Sequence, residues 1–297
     1  MQTTIRETKS DKIFTFFNYS FLIFLVIVVL YPLIYIVSSS FSSAEAVSTG
    51  RVWLLPVDFS LEGYKAVFKN EMIWKGYGNS LYYMVVGTII NVVLTIMAAY
   101  PLSRGSFRGK NFFMFLFVFT MMFNGGLIPS YLLVRDLGML DTRWALLIPN
   151  ALAAFNVIIT VTFFRSSIPN ELLESAQLDG CNDFKFLTKV VIPLSAPIIA
   201  VISLFYAIGH WNQYFSALIY LRDANLFPLQ LVLRSILTQN EIDPTMMGDA
   251  SDLESKIGLA NLLKYSLIVV ASIPVLVIYP FVQKHFVKGV MIGSIKG

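Results

Sequence analysis

The chain has 297 residues, 56% of them hydrophobic and only 13% charged, with a formal net charge of +4 and a mean hydropathy of +0.69. Soluble domains carry about 25% charged residues, so this balance excludes an ordinary water-soluble domain and places the chain in a lipid membrane. The positive charge comes without a basic run, which fits anchoring at a membrane face and not nucleic-acid binding, and a single cysteine, Cys181, rules out an intrachain disulfide.

In chain order, six runs lack Asp, Glu, Lys and Arg altogether: Ile13 to Ala44, Gly76 to Ser103, Asn111 to Val134, Trp144 to Phe164, Val190 to Leu221 and Tyr265 to Gln283. Each is at least as long as the roughly 17 to 25 residues a spanning helix needs, which predicts an all-α membrane protein with six transmembrane helices. The first run follows Arg6, Lys9 and Lys12 and ends at Ala44-Glu45-Ala46, a triplet that mimics a signal-peptide cleavage site. A signal-peptide apolar region is only about 7 to 15 residues long, so this run is expected to remain as a span, its helix ending in the Ser-rich stretch Ser38 to Ser43.

A short loop after the second run carries Arg104, Arg108 and Lys110 and no acid. With the N-terminus inside, segments 1–12, 103–110, 165–189 and 284–297 hold 12 of the 22 Lys and Arg, and the longer outer loops 45–75, 135–143 and 222–264 hold the rest. The denser basic side is expected to be cytoplasmic, with both termini there. Pro32, Pro101, Pro129, Pro149, Pro193, Pro197, Pro274 and Pro280 fall within or at the ends of the spans, where each interior one removes a backbone bond and can kink the helix.

Between the fourth and fifth runs lies a polar stretch, ELLESAQLDGCNDFKFLTKVVIPLSAP, from Glu171 to Pro197. Ser167 or Asn170 can cap a helix that Pro169 opens, Glu171 and Glu174 lie in its first turns where the helix dipole favours anions, and Gly180 can end it. Leu172, Leu173, Ala176 and Gly180 recur at three- and four-residue spacing as one face, with Glu174, Gln177 and Asp179 directed elsewhere. A second short helix is expected from near Asp183, with Phe184, Leu187, Val190 and Val191 as its apolar positions. Two readings of this cytoplasmic elbow stand: an interfacial link between spans, or a contact surface for a partner protein.

In the fifth run Ala207, His210, Trp211 and Tyr214 share one helical face, and Tyr206 and Asn212 complete the set of candidate path residues. His210 reads either as a neutral side chain bonded to a neighbouring helix or as part of a sugar path, since hydroxyls need hydrogen bonds and the C–H faces of sugar rings lie well on aromatic rings.

Glu174-Ser175-Ala176, three residues, Gly180, nine residues and then Val190-Val191-Ile192-Pro193 resembles the EAA motif of binding-protein-dependent ABC-importer permeases, with Ser175, Val190 and Ile192 as conservative departures. The resemblance covers nearly the whole chain. NGGLIPSYLLVRDLGMLDTRWALLIP, WNQYFSALIYL and the ending KGVMIGSIKG are similar to the carbohydrate permeases that include the smaller maltose-permease subunit, in particular the LplC-type branch associated with complex or uronate-containing oligosaccharides.

This resemblance implies a type I permease with a five-helix core plus an N-terminal helix in a bacterial cytoplasmic membrane, importing an oligosaccharide. Residues 1–75 would form the N-terminal tail, first span and outer loop, 76–283 the transport core with the EAA loop at 165–195, and 284–297 a cytoplasmic tail. It implies a coupling helix in which Glu171, Glu174, Ser175, Ala176, Asp179, Gly180 and Pro193 meet the ATPase. The implied partners are a second, homologous permease, two cytoplasmic ATPase subunits and an extracytoplasmic sugar-binding protein, with ATP and Mg held by the ATPase subunits.

No phosphate-binding loop is expected in the chain itself: GSFRGKN, from Gly105 to Asn111, is one residue short of GxxxxGK[ST] and ends in Asn. An ion-coupled secondary transporter would keep ionisable groups within its spans, and the six runs contain only His210. A membrane-embedded enzyme would need a carboxylate pair, a metal cluster or a nucleophile with its base, whereas His210 and His285 are expected near opposite faces. The acidic segment Asp243 to Glu254 lacks the glycine and ligand order of a calcium-binding loop. No catalytic, cofactor or metal residue is therefore assigned.

Overall fold

The computed structural model describes residues 8–239 and 258–277. His285, the segment 243–254 and the tail 284–297 lie outside the described residues. Among those described no β-strand occurs. The helices are α1 (Lys9–Ser40), α2 (Ala44–Ser48), α3 (Glu62–Lys69), α4 (Glu71–Ser103), α5 (Lys110–Met122), α6 (Leu127–Asp136), α7 (Trp144–Leu147) and α8 (Ala154–Ser167). They continue with α9 (Asn170–Leu178), α10 (Asp183–Phe186), α11 (Ile192–Leu194), α12 (Ala196–Trp211), α13 (Phe215–Tyr220), α14 (Leu229–Gln239) and α15 (Gly258–Val277). A π-turn at Leu187–Val191 joins α10 to α11.

Helices α1, α4 and α15, of 32, 33 and 20 residues, are long and apolar enough to cross a bilayer unaided. Two further candidate spans are bent: α5 meets α6 at 116°, and the segment Asp183–Leu194 meets α12 at 82°. The described residues thus hold up to five spans, and three of the expected unbroken runs are interrupted. Asn124-Gly125-Gly126 stops α5: the Asn124 side chain accepts the Gly126 N–H at 2.8 Å, and Gly126 has φ +90°, which no helix uses.

In the fourth run Pro149 cannot donate to the Ala145 carbonyl, so α7 closes after four residues and α8 begins only at Ala154. In the fifth, Pro193 and Pro197 remove successive backbone donors, and the chain turns at Ser195, whose N–H reaches the carbonyls of both Val191 and Ile192 at 3.0 and 3.1 Å.

The described residues form two compact units, one within 1–70 and 236–270 and the other within 71–235 and 271–297. In the first, α1 ends at Ser40 as its sequence suggests, and the serines turn inward: Ser38 Oγ donates to the Leu54 carbonyl and Ser42 Oγ to that of Ser38, both at 2.7 Å. Ala46, Val47, Val52 and Leu262 form the core there.

In the second unit α4 is the central rod, packed against α8 and α12. One cluster joins Ala99, Val157, Phe164, Phe186, Val191 and Ile202. A second joins Tyr83, Leu146, Leu147, Ala217, Tyr220 and Leu231. Where these helices lie in lipid, whose tails are as apolar as the side chains, the packing is held by van der Waals contact and interhelical hydrogen bonds. Gly87 lets α12 approach α4 closely, because a Cβ there would overlap the His210 imidazole.

Candidate functional site

The second unit carries two features to which the sequence points. One is a cavity of about 450 Å3 between α4, α8 and α12, lined among others by Asn91, Asn150, Asn156, His210, Gln213 and Tyr214. Asn91 lies midway along α4, Asn156 in the first turn of α8, and His210 in the last turn of α12.

The His210 ring is held from both sides, with Nε2 3.1 Å from Asn91 Nδ2 and Nδ1 3.2 Å from Gln213 Oε1. Asn91 Nδ2 can only donate and Gln213 Oε1 can only accept, so this network assigns the neutral tautomer with the proton on Nδ1. Gln213 Nε2 in turn donates to the Leu146 carbonyl at 3.3 Å.

One turn along, Thr95 Oγ1 lies 2.7 Å from the Tyr206 hydroxyl, which also accepts the Ala153 N–H at 3.2 Å and so satisfies a backbone donor left free at the start of α8. Asn91 Oδ1 is buried and finds no hydrogen-bond partner among the described residues. No Asp, Glu, Lys or Arg lines the cavity among the described residues. Its walls offer carboxamide, imidazole and hydroxyl groups beside the rings of Phe205, Tyr206 and Tyr214, an arrangement that can hydrogen-bond hydroxyls and stack on C–H faces.

Of the expected path residues, Tyr206, His210, Asn212 and Tyr214 line this cavity. Trp211 does not: it is buried on another side of α12, its indole Nε1 donating to the Ala271 carbonyl at 3.1 Å and its ring standing edge-on to Tyr77. The stripe expected from Ala207 to Tyr214 is also shorter, because α12 ends at Trp211 and Tyr214 follows the break. The cavity is lined also by Asn91, Asn150, Asn156 and Gln213, whose signal in the sequence is an uncharged amide inside or beside an apolar run, which favours an inward-facing position.

The second feature is the polar elbow between α8 and α12. Helix α9 begins after Pro169, which is fixed at φ −64° and ψ 156°, and neither Ser167 nor Asn170 caps it; Asn170 is already its first residue. It ends as the glycine suggests. Gly180 has φ +75°, its N–H reaches the Gln177 carbonyl at 3.0 Å, and the Cys181 N–H reaches the Ala176 carbonyl at 2.9 Å. Asn182 then caps α10, its Oδ1 accepting the Lys185 N–H at 2.8 Å.

The packed face of α9 is Leu173 and Ala176, which with Cys181 pack against the buried cluster that includes Phe164, Ile168 and Phe186. Leu172, expected on that face, is exposed instead. Leu178 is 90% exposed and Phe184 74% exposed, among the exposed polar side chains Glu171, Glu174, Ser175, Gln177 and Asp179.

The sequence pattern described as the inner membrane component of binding-protein-dependent transport systems matches residues 91–292. The chain is 43% identical over 288 residues to the polygalacturonan/rhamnogalacturonan transport system permease protein YtcP of Bacillus subtilis (strain 168), covering 97% of this chain and 99% of that one. It is 39% identical to protein LplC of the same organism, over 99% of this chain and 98% of the relative. Among solved structures, it superposes with a TM-score of 0.88 and 39% identity on a chain of a bacterial ABC transporter involved in the import of the acidic polysaccharide alginate, over 95% of this chain and 100% of that one.

Proposed function

Because the chain belongs to the family of binding-protein-dependent transport system inner membrane components and has the type I ABC-importer permease fold, we propose that it is the oligosaccharide-conducting subunit of an importer for acidic, uronate-containing chains. The observation that carries the acidic cargo is the full-length similarity to relatives named for polygalacturonan and alginate import.

The neutral, amide-rich cavity gives this subunit a definite share of the work. It would hold sugar hydroxyls and ring faces, and the carboxylates would be countered by groups on the partner permease. The path on this chain is then Tyr206, His210, Asn212 and Tyr214, joined by Asn91, Asn156 and Gln213. Trp211 acts as the packing behind it.

Glu171, Glu174, Ser175 and Asp179, with the turn at Gly180 and Pro193 at the following bend, form the surface that meets an ATPase subunit; Ala176, expected there from the sequence, packs inward and supports that surface from behind. The exposed Leu178 and Phe184 supply apolar anchors beside the carboxylates. The working complex has a second permease, two ATPase subunits carrying ATP and Mg, and an extracytoplasmic binding protein. Both termini lie on the cytoplasmic side of the bacterial cytoplasmic membrane, and residues 76–283 make up the transport core.

Uptake of a uronate oligosaccharide into vesicles containing the whole complex is expected to require internal ATP and the binding protein. It should persist when ionophores collapse proton and sodium gradients. A neutral oligosaccharide of the same length should be taken up at least about tenfold more slowly, roughly 1.4 kcal/mol of discrimination. Uptake abolished by ionophores and indifferent to ATP would refute the mechanism, and equal rates for the two sugars would refute the acidic cargo.

A further inference from the structure

One charged side chain in the second unit lies in an unusual place. Arg104, the residue after α4, is only 5% exposed, although it stands in the short basic loop that the sequence assigns to the cytoplasmic surface. Its Nη1 donates to the Ile168 carbonyl at 3.4 Å, while Nε and Nη2 find no hydrogen-bond partner among the described residues. The guanidinium lies 5.3 Å from the Tyr100 ring centre and 5.9 Å from that of Phe186.

An arginine cannot shed its charge, so a desolvated guanidinium with open donors is costly unless its surroundings compensate. Two aromatic rings supply part of that compensation. Burial pulls the pKa of Arg104 below its ordinary value, and Tyr100 and then Asp183 push it back up.

The neighbours of Arg104 come from both sides of a mechanical junction. Tyr100 belongs to the last turn of α4; Ile168 and Phe186 bracket the elbow, one just before α9 and the other at the end of α10. Nearby, Arg165 Nη2 donates to the Leu102 carbonyl at 2.8 Å, so the C-terminal end of α4 is held by one arginine from α8 and holds the elbow by another. The same helix runs from this junction to Thr95, which bonds the cavity residue Tyr206, and to Asn91 in the cavity wall.

We propose that Arg104 is a positioning residue that ties the elbow to α4, so that a displacement of the elbow is passed along one continuous helix to the cavity. This rests on reading the elbow as the ATPase contact. Asp183, exposed in the first turn of α10, interacts electrostatically with Arg104, and on this proposal it receives the open N–H groups when the elbow moves.

The test uses Arg104→Met, Arg104→Lys and Asp183→Asn in the reconstituted complex. Replacing a buried charge by an apolar side chain of similar length is neutral or stabilising where the role is packing alone. Arg104→Met is instead expected to hydrolyse ATP while moving about tenfold less sugar per ATP, the scale of a coupling free energy between sites. Arg104→Lys should recover part of that loss, and Asp183→Asn, a change of nearly equal size at an exposed position, should lower the same ratio about twofold to threefold.

Independently of transport, spin labels at Gly105→Cys and Phe184→Cys in a Cys181→Ser background should show a distance distribution that broadens in Arg104→Met. An unchanged distribution, or a wild-type ratio in Arg104→Met and Asp183→Asn, overturns the proposal. Absence of ATP-dependent uptake by the unmodified complex would instead count against the importer reading, with the spin-label result still deciding the role of Arg104.

Discussion

Gly180→Pro is expected to abolish sugar uptake, by a factor of a hundred or more, while leaving the subunit in the membrane. The glycine sits at φ +75° and its N–H bonds to the Gln177 carbonyl. Proline is confined near φ −65° and has no N–H, so it removes both the conformation and the bond that close α9. Nothing lies within 4 Å of the position a Cβ would occupy, so the requirement is one of backbone angle and not of space.

Gly180→Ala should therefore cost only about 1 kcal/mol and retain most activity, because left-handed backbone is strained but accessible to alanine. Glu174→Ala, which removes a carboxylate from the exposed face without touching the turn, should lower uptake about tenfold through the lost charge-assisted contact. The measurement is binding-protein-stimulated ATP hydrolysis together with uptake in the same liposomes. Wild-type values for both in Gly180→Pro would remove the elbow from the mechanism.

The second large effect is expected at Gly87, and it is one of stability. A side chain there meets an imidazole pinned by Asn91 on one side and Gln213 on the other, so the ring cannot swing away without breaking two hydrogen bonds. Gly87→Val should destabilise the pairing of α4 with α12 by roughly 2 kcal/mol or more, from overpacking added to the lost bonds. This should appear as a lower unfolding temperature of the purified complex in detergent and a smaller yield. Combining Gly87→Ala with His210→Ala removes the ring that a Cβ would strike and should recover much of the stability, although not the transport. A Gly87→Val protein that melts with the wild type would show that the helices do not meet as described.

The membrane class and the elbow were legible because each is written locally. Charge-free runs report desolvation residue by residue, and the turn at Gly180 needs only the glycine and the neighbouring carbonyls. The breaks were legible in part. Pro149, Pro193, Pro197 and the Asn124-Gly125-Gly126 triplet were all visible, but apolar length outweighed them, since a run long enough to span reads as one helix even where its backbone cannot continue as one.

The cavity was legible only from one side. His210 drew notice as an ionisable group in an apolar run, while Asn91 and Asn156 lie on two other helices and become partners only through packing. Trp211 illustrates the converse: helical spacing placed it beside His210, but the choice of which neighbour faces the cavity was made by the contacts of α12 with α4 and with Ala271. Arg104 looked like an ordinary surface cation, and its burial depends on Phe186, 82 residues further along the chain.

The claim that sugar crosses beside His210 is tested most directly by single cysteines at Asn156, Gly209 and Asn212 in a Cys181→Ser background, with Ala217→Cys as a buried control. Each is exposed to a membrane-impermeant thiol reagent in the reconstituted complex, with and without a uronate oligosaccharide and its binding protein, and in resting and nucleotide-trapped states. The account predicts labelling at the three cavity positions but not at the control, with rates that change at least about fivefold between the two nucleotide states and fall when the sugar is present. Cavity cysteines that stay unlabelled in every state, or label at one rate regardless of sugar and nucleotide, would contradict it.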